Sequence, residues 1–180
     1  GMGFRGQHTN LLNRRYGPWL FLAELITNLE LSPDGPEDHG DCGTCRICLD
    51  ICPTQAIVNS HEIDARRCIA YLTIEHRGAI PREIRPLMKD WVFGCDECLA
   101  KCPFTRASQE TKWPEFRTDP IDRLDLLALF SIGSNRRHKE RFRGTALLRA
   151  SRKMILRNAA VVLGNLGDAR AVPVLAKALE

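Results

Sequence analysis

The sequence predicts an α+β fold in which a cysteine-rich module is followed by a helical region. Seven of the eight cysteines fall into two short runs, each ending in Cys-Pro. After residue 119, apolar side chains recur at the spacing of an α-helix. The run Trp19–Leu22 is continuously apolar, which favours a buried strand over a helix. The predicted domains are the tail of a larger domain at 1–31, a turn-rich linker at 32–41, the cysteine module at 42–118 and helices at 119–180.

The first cysteine run has the spacing of a bacterial 4Fe–4S site. In that pattern three closely spaced cysteines bind one cluster and the fourth binds a second cluster. Pro53 follows the last cysteine and cannot continue a helix, so it turns the chain away from the cluster. The run consists of Cys42, Cys45, Cys48 and Cys52.

The second run is one cysteine short of the same pattern. A full copy would begin at position 92, where the chain has Val92. Two clusters need eight thiolates and the chain has eight cysteines, so Cys68 is the candidate replacement. We therefore predict that each run lends its last cysteine to the other cluster. The two ligand sets are Cys42, Cys45, Cys48 and Cys102 for one cluster, and Cys52, Cys68, Cys95 and Cys98 for the other.

Other uses of cysteine match the pattern less well. Structural zinc is bound by four ligands, and a further cysteine three or four residues after a CxxC pair is a poor match to its usual spacing. A disulfide framework is typical of secreted proteins, and the sequence shows no secretory segment. The alternative for Cys68 is a buried structural thiol, since free cysteine behaves as a small apolar residue.

Positive charge is concentrated in one segment. Between Arg136 and Arg157 there are nine basic residues and one acid, Glu140, whereas the rest of the chain has 17 basic and 21 acidic residues. A basic segment on an otherwise acidic chain is typical of a site for a polyanion such as nucleic acid. The alternative, a solvated helical face, fits the sequence equally well.

Helices are predicted after the cysteine module. Asp119 is suited to be an N-cap, with Pro120 at the first helical position. A second helix is predicted over Thr145–Leu163, and Gly164–Gly167 ends it. Asp168 then caps a third helix. This arrangement resembles one HEAT-like unit, which buries its apolar face by stacking on neighbouring units.

Five stretches together resemble the C-terminal half of the epoxyqueuosine reductases, cobalamin- and iron–sulfur-dependent enzymes that form queuosine in tRNA. The resemblance covers nearly the whole chain. It is more specific than the cluster spacing because it includes both Cys68 and the missing cysteine at Val92. The stretches are Gly3–Thr9, Gly17–Glu24, Cys42–Cys48, Asp64–Glu75 and Phe93–Cys98.

The resemblance implies an oxidoreductase in which two 4Fe–4S clusters pass electrons singly to cobalamin, which supports two-electron reduction of epoxyqueuosine in the tRNA anticodon loop. It implies that 1–31 is the remnant of an α/β cobalamin-binding domain. The family's proton-donor aspartate lies upstream, so no catalytic residue is assigned in this chain. We expect a cytoplasmic monomer without membrane contact, reduced by an external donor of the ferredoxin or flavodoxin type.

The resemblance also implies contact residues outside the cysteines. Gln7 stands where the family often has lysine, which removes a charged contact to the cofactor. The expected cobalamin contacts are Gly3, Gly6, Gln7, Thr9, Ala70, Asp96 and Glu97. The expected tRNA contacts, each with an ordinary surface charge as its alternative, are Arg77, Arg136, Arg137, Arg141 and Arg143.

Two other functions compete with this one. A ferredoxin-type electron carrier would need only residues 42–106 and would leave the helical region and its basic segment without a role. A related corrinoid reductase acting on a small molecule would share both cofactors but would not bind tRNA. Salt-sensitive tRNA binding separates the two reductases, because phosphate contacts weaken as salt rises.

We predict that Cys68→Ala removes one ligand of the second cluster. Iron and sulfide content should then fall from two clusters per chain toward one, as measured by chemical iron and sulfide assays after anaerobic reconstitution. Unchanged iron and sulfide would show that Cys68 is a structural thiol.

Overall fold

The computed structural model describes residues 2–35, 40–116 and 124–178. They belong to two compact units, and each is described by itself. Unit one comprises Gly1–Ile63 and Asp96–Phe116, and unit two comprises Asp64–Cys95 and Arg117–Glu180. This division differs from the predicted domain limits, which stay a prediction. The predicted N-cap Asp119 and its neighbour Pro120 lie outside the described residues.

The structure combines short strands with helices, as the predicted α+β class requires. Strands β1 (Phe4–Arg5) and β2 (Leu11–Leu12) form one antiparallel pair, and β3 (Ile57–Asn59) and β4 (Glu62–Ile63) form another. Within the described ranges, 3₁₀ turns lie at Arg85–Met88, Pro103–Ala107, Pro114–Phe116 and Ala146–Arg149. The α-helices are α1 (Ile47–Ile51), α2 (Ile69–Ile74), α3 (Glu97–Ala100), α4 (Leu126–Leu129), α5 (Asn135–Arg141), α6 (Arg152–Leu166) and α7 (Ala171–Lys177).

Unit one is built on the β1–β2 hairpin and on contacts of α1 with α3 and β3. Gly3 has φ +144°, and a Cβ there would lie 2.1 Å from the Leu12 carbonyl oxygen. The pairing of the hairpin therefore requires glycine at this position. The core of unit one is small, with Cys48, Leu49 and Ile57 buried and Cys98 packed against them.

The predicted buried strand at Trp19–Leu22 is wrong. These residues have no regular secondary structure, and Phe21 is 91% exposed. Strands β1 and β2 pair with each other, so this run has no described strand beside it. Phe21 stacks on Phe116 with ring centroids 5.5 Å apart. Apolar continuity alone does not bury a segment where no other surface covers it.

The predicted second helix is split in the structure. Ala146–Arg149 forms a 3₁₀ turn, and α6 begins after Ser151, whose hydroxyl accepts a hydrogen bond from the Met154 amide at 3.3 Å. Ser151 is thus an N-cap that the apolar pattern did not reveal. Gly167, with φ +65°, ends α6 as the predicted glycine corner requires.

Helix α6 holds unit two together through polar side chains as well as apolar ones. The fully buried Asn158 amide donates to the Thr73 carbonyl at 2.8 Å and to the Val92 carbonyl at 2.9 Å. Arg157 donates to carbonyls of the segment 72–78. Because buried carbonyls need donors, α6 fixes the positions of α2 and the segment around Val92.

No helix in the described ranges is long and apolar enough to cross a membrane.

We predict that Asn158→Ala destabilises the chain by about 2–4 kcal/mol, because two carbonyls are left without a donor in a buried site. Asn165→Ala is the matched control. Its exposed amide also donates to two carbonyls, of Arg85 at 2.7 Å and Lys89 at 2.9 Å, but water can replace it. Asn165→Ala should lower the free energy of unfolding by about 1 kcal/mol or less. Urea unfolding measures both, and equal losses would contradict the assigned role of Asn158.

Candidate iron–sulfur site

Four cysteines of unit one surround one cavity of about 220 Å³. They are the four that the sequence assigns to the first cluster, and two of them, Cys48 and Cys102, are buried. The remaining lining comes from Gln7, His8, Ile47, Pro103 and Phe104. The cysteines are Cys42, Cys45, Cys48 and Cys102.

Local backbone structure directs these cysteines toward the cavity. The Cys45 amide donates to the Cys42 carbonyl at 3.2 Å, which closes a turn between them. Gly43 within this turn has φ +54°, and its amide donates to the Asp41 carboxylate at 2.7 Å. Cys48 follows on α1, and Cys102 precedes a proline-initiated 3₁₀ turn. The spacing of the run therefore produces a loop followed by one helical turn.

Burial favours the protonated form of two thiols of this site, Cys48 and Cys102. Burial raises the pKa of Cys48 to about 11, and the nearby charge of Cys42 contributes in the same direction. Burial also raises the pKa of Cys102. Iron binding must therefore displace protons from Cys48 and Cys102, and the metal then compensates the thiolate charges.

The number of cysteines around the cavity matches the ligand requirement of one cluster. Four cysteines line a cavity of about 220 Å³. Among residues 2–35, 40–116 and 124–178, no group of three or more His, Cys, Asp or Glu side chains is arranged to hold one metal ion. A 4Fe–4S cluster uses one cysteine sulfur for each of its four iron atoms.

The loop between β1 and β2 covers one side of the cavity. Gln7 is only 7% exposed, and its amide donates to the Gly43 carbonyl at 3.3 Å. Its own carbonyl accepts a hydrogen bond from the His61 amide at 3.0 Å, and the Gly6 carbonyl lies 3.0 Å from His61 Nδ1. The Gln7 side chain is therefore engaged with the cysteine loop. Its predicted role as a cobalamin contact stays a prediction.

His8 is a site residue that the sequence interpretation did not select. Its ring is 2% exposed and lines the cysteine cavity, and burial lowers its pKa. The available signal was its position in the quoted stretch Gly3–Thr9, directly beside a residue that was selected. A lone histidine among glycines has no spacing pattern that indicates a ligand or a hydrogen-bond partner.

The other four cysteines are divided between the two units. In unit one, Cys52 Sγ accepts a hydrogen bond from the Ala56 amide at 3.2 Å, and Cys98 lies on α3. In unit two, Cys68 is the N-cap of α2, and Cys95 packs against the apolar core. The second ligand set therefore stays a prediction.

Thr73 links the two cysteines of unit two. Its hydroxyl donates to the Ile69 carbonyl at 2.7 Å and accepts from the Gly94 amide at 3.0 Å. This bond joins α2, which begins after Cys68, to the residue before Cys95. The sequence spacing gave no indication of this buried connection.

The predicted cobalamin residues have different surroundings. Gly6 is buried, and a Cβ there would lie 2.8 Å from Leu12 Cδ1, so packing accounts for this glycine. Thr9 is half-buried and has φ +72°, an unusual backbone conformation for a β-branched residue. Ala70 and Glu97 are half-buried and Asp96 is exposed.

The basic segment separates into surface charges and structural residues. Arg152 and Arg157 donate to backbone carbonyls, so they serve the fold of unit two. The predicted tRNA contacts Arg77, Arg136, Arg137, Arg141 and Arg143 are all exposed.

A basic cavity brings Arg77 together with two residues of the basic segment 136–157. This cavity of about 470 Å³ is also lined by Arg149 and Lys153. Arg149 forms an ion pair of 2.7 Å with Glu75, and its side chain is 70% exposed. The sequence distance between Arg77 and Arg149 concealed this grouping.

Two family models match the chain. Residues 41–105 match the 4Fe–4S double cluster binding domain, and residues 155–180 match the PBS lyase HEAT-like repeat. The predicted order of a 4Fe–4S module followed by a HEAT-like region is confirmed. Together with the cysteine cavity, the first match defines a protein of the class that binds two 4Fe–4S clusters.

Individual proteins match over more of the sequence. The epoxyqueuosine reductases of Pseudomonas aeruginosa and Escherichia coli K12 are each 45% identical over 166 residues, which is 92% of this chain and 46% and 43% of the respective relatives. A crystal structure of epoxyqueuosine reductase with an epoxyqueuosine-modified tRNA-Tyr stem loop is 38% identical, with a TM-score of 0.88 over 98% of this chain and 47% of that one. The chain belongs to the epoxyqueuosine reductase family and spans less than half the length of these relatives.

Proposed function

We propose that this chain provides the electron-transfer part of an epoxyqueuosine reductase. The observation that carries the proposal is the cysteine cavity of unit one, in a chain that is 45% identical to such enzymes over 92% of its length. The reaction is the two-electron reduction of epoxyqueuosine to queuosine in tRNA. The clusters deliver the electrons one at a time, because a 4Fe–4S cluster exchanges single electrons.

The cysteines divide into two ligand sets in this proposal. The cavity cysteines hold the first cluster, and Cys52, Cys68, Cys95 and Cys98 hold the second. Cys52 already accepts one backbone hydrogen bond at its sulfur, from the Ala56 amide at 3.2 Å. Such bonds stabilise a charged sulfur and thereby help to set the reduction potential. An external donor of the ferredoxin or flavodoxin type supplies the electrons.

Cobalamin, when bound, supplies the chemistry that removes the epoxide oxygen. Thr9, Ala70, Asp96 and Glu97 retain accessible surface, which fits contact with a flat corrin ring. Gly3, Gly6 and Gln7 contribute indirectly, since packing and the bond to Gly43 account for these three residues. They hold the loop that presents Thr9.

Basic side chains of unit two provide a surface for tRNA phosphates. Arg77, Arg149 and Lys153 line one cavity, and the exposed arginines of α5 add further charge. The ion pair of Arg149 with Glu75 is exposed, and exposed pairs contribute at most about 1 kcal/mol. A phosphate can therefore compete for Arg149. The related enzyme crystallised with a modified tRNA stem loop supports this assignment.

The proposed cellular setting follows from the substrate. A tRNA-modifying enzyme encounters tRNA in the cytoplasm, and we place the protein there as a monomer that needs no membrane contact.

The function is tested by exchanging this chain for the matching half of the Escherichia coli relative. We expect the chimera to restore queuosine in the tRNA of a strain lacking its own enzyme, as measured by mass spectrometry of tRNA nucleosides. The same chimera with Cys45→Ala should leave epoxyqueuosine unconverted. A folded chimera that contains iron, sulfide and cobalamin but forms no queuosine would contradict the proposed function.

The tRNA surface is tested by a triple variant of the chimera, Arg77→Gln, Arg149→Gln and Lys153→Gln. We expect weaker tRNA binding and a shallower dependence of affinity on salt, because each lost phosphate contact reduces the slope by roughly 0.7–0.9. The control is Arg66→Gln with Arg170→Gln, which removes two arginines whose side chains are 87% and 81% exposed. Equal salt slopes for the two variants, measured by filter binding, would contradict this surface.

A further inference from the structure

The His8 ring is held in one orientation beside the cysteine cavity. It is 2% exposed, and a Cβ on Gly6 would lie 2.9 Å from its Cε1 atom. The loop that carries it is closed by two backbone bonds, from Thr9 to the Gly6 carbonyl and from Gly6 to the Asn10 carbonyl, both 2.9 Å. Glycine at position 6 therefore lets the ring lie close against the backbone.

The hydrogen bonds of the ring determine which nitrogen carries the proton. The Asn10 backbone amide lies 3.2 Å from His8 Nδ1, and a backbone amide can only donate. Nδ1 must therefore accept this bond, as it also can from the Asn10 side-chain amide at 3.2 Å. In a neutral imidazole with Nδ1 as acceptor, Nε2 carries the hydrogen.

This Nε2–H group has no acceptor among the described residues, although it is fully buried. Leaving a buried donor without a partner costs about 1–3 kcal/mol, so such groups are rare unless something else accepts the bond. His8 lines the cavity that is surrounded by Cys42, Cys45, Cys48 and Cys102. The neighbouring Gln7 amide already donates to Gly43. His8 therefore lines this cavity and carries a buried donor that lacks a protein acceptor.

We propose that His8 Nε2–H donates a hydrogen bond to a sulfur atom of the cluster held by these four cysteines. The inference rests on the proposed function, which places a cluster in this cavity. A hydrogen bond to cluster sulfur favours the reduced state, because that state carries one more negative charge. His8 therefore acts through the first cluster. It raises the reduction potential of that cluster and leaves the potential of the second cluster unchanged.

Two substitutions distinguish the acceptor role of His8 Nδ1 from the donor role of Nε2. In His8→Asn the side-chain oxygen can replace Nδ1 as the acceptor for Asn10, but nothing replaces Nε2–H. In His8→Gln the longer side chain can place an amide N–H where Nε2 stood, but it offers no acceptor at Nδ1. A purely structural role for His8 predicts that Gln is the more harmful change, and the proposed bond predicts that Asn is.

The first measurement is a redox titration of the anaerobically reconstituted chain, followed by electron paramagnetic resonance. In His8→Asn we expect the ratio of reduced to oxidised first cluster at a fixed potential to fall roughly tenfold, which is about 59 mV for one electron. The second cluster serves as an internal reference. His8→Gln should retain most of the original potential. Unshifted potentials in both variants, or an equal shift in both, would overturn the inference.

The second measurement needs no substitution and so does not depend on how the variants fold. The chain is labelled with ¹⁵N-histidine, and pulsed electron paramagnetic resonance of the reduced clusters detects nitrogen coupled through the hydrogen bond. We expect one histidine coupling, absent from reconstituted His8→Gln. Clusters present without such a coupling would overturn the inference alone. A chain that binds no cluster would overturn the proposed function, and this inference with it.

Discussion

Four cysteine sulfurs from two distant parts of the chain have to meet around one cavity, and this geometric requirement organises unit one. Cys42, Cys45 and Cys48 come from one loop and helical turn, whereas Cys102 follows α3. The contacts of α1 with α3 bring the two parts together. The β1–β2 hairpin then adds Gln7 and His8 to the lining. The helices and the hairpin of unit one thus all contribute to the cavity around the four thiols.

Unit two depends on buried polar groups of a different kind. Position 92 would carry a cysteine in a complete second run, but here the Val92 carbonyl is held by Asn158. The same amide holds the carbonyl of Thr73, and the Thr73 hydroxyl accepts from Gly94. Helix α6 thus fixes the backbone leading to Cys95 through hydrogen bonds in addition to apolar packing. A polar network of this kind specifies one arrangement of the backbone.

The cysteine pattern was predictable because ligand spacing is a local property of the chain. The set around the cavity, including Cys102, followed from the ferredoxin pattern in which each run lends its last cysteine to the other cluster, and the HEAT-like helices followed from apolar periodicity. Properties that depend on contacts between distant residues could not be predicted from the sequence. Trp19–Leu22 appeared to be a buried strand although no described strand lies beside it. Arg157 was counted in the basic segment, which the sequence interprets as a polyanion site or a solvated face, yet it donates to carbonyls about eighty positions away.

His8 shows the same limit on a smaller scale. Its identity and its place in a glycine-rich stretch were visible in the sequence, but its tautomer depends on the Asn10 amide, which only the folded loop places beside Nδ1. The grouping of Arg77 with Arg149 was hidden for a similar reason, because α2 and the turn before α6 meet only in the folded unit.

The small core of unit one has a consequence for the life of the protein in the cell. Two of the four members of that core are cysteines, Cys48 and Cys98, and both are assigned to clusters. Few apolar contacts therefore remain to hold the unit when iron is absent, and the binding energy of a metal site becomes folding energy. Thr9, held at φ +72°, adds a strained residue to the loop over the cavity. We therefore expect the chain to be more susceptible to proteolysis when its cysteines hold no iron.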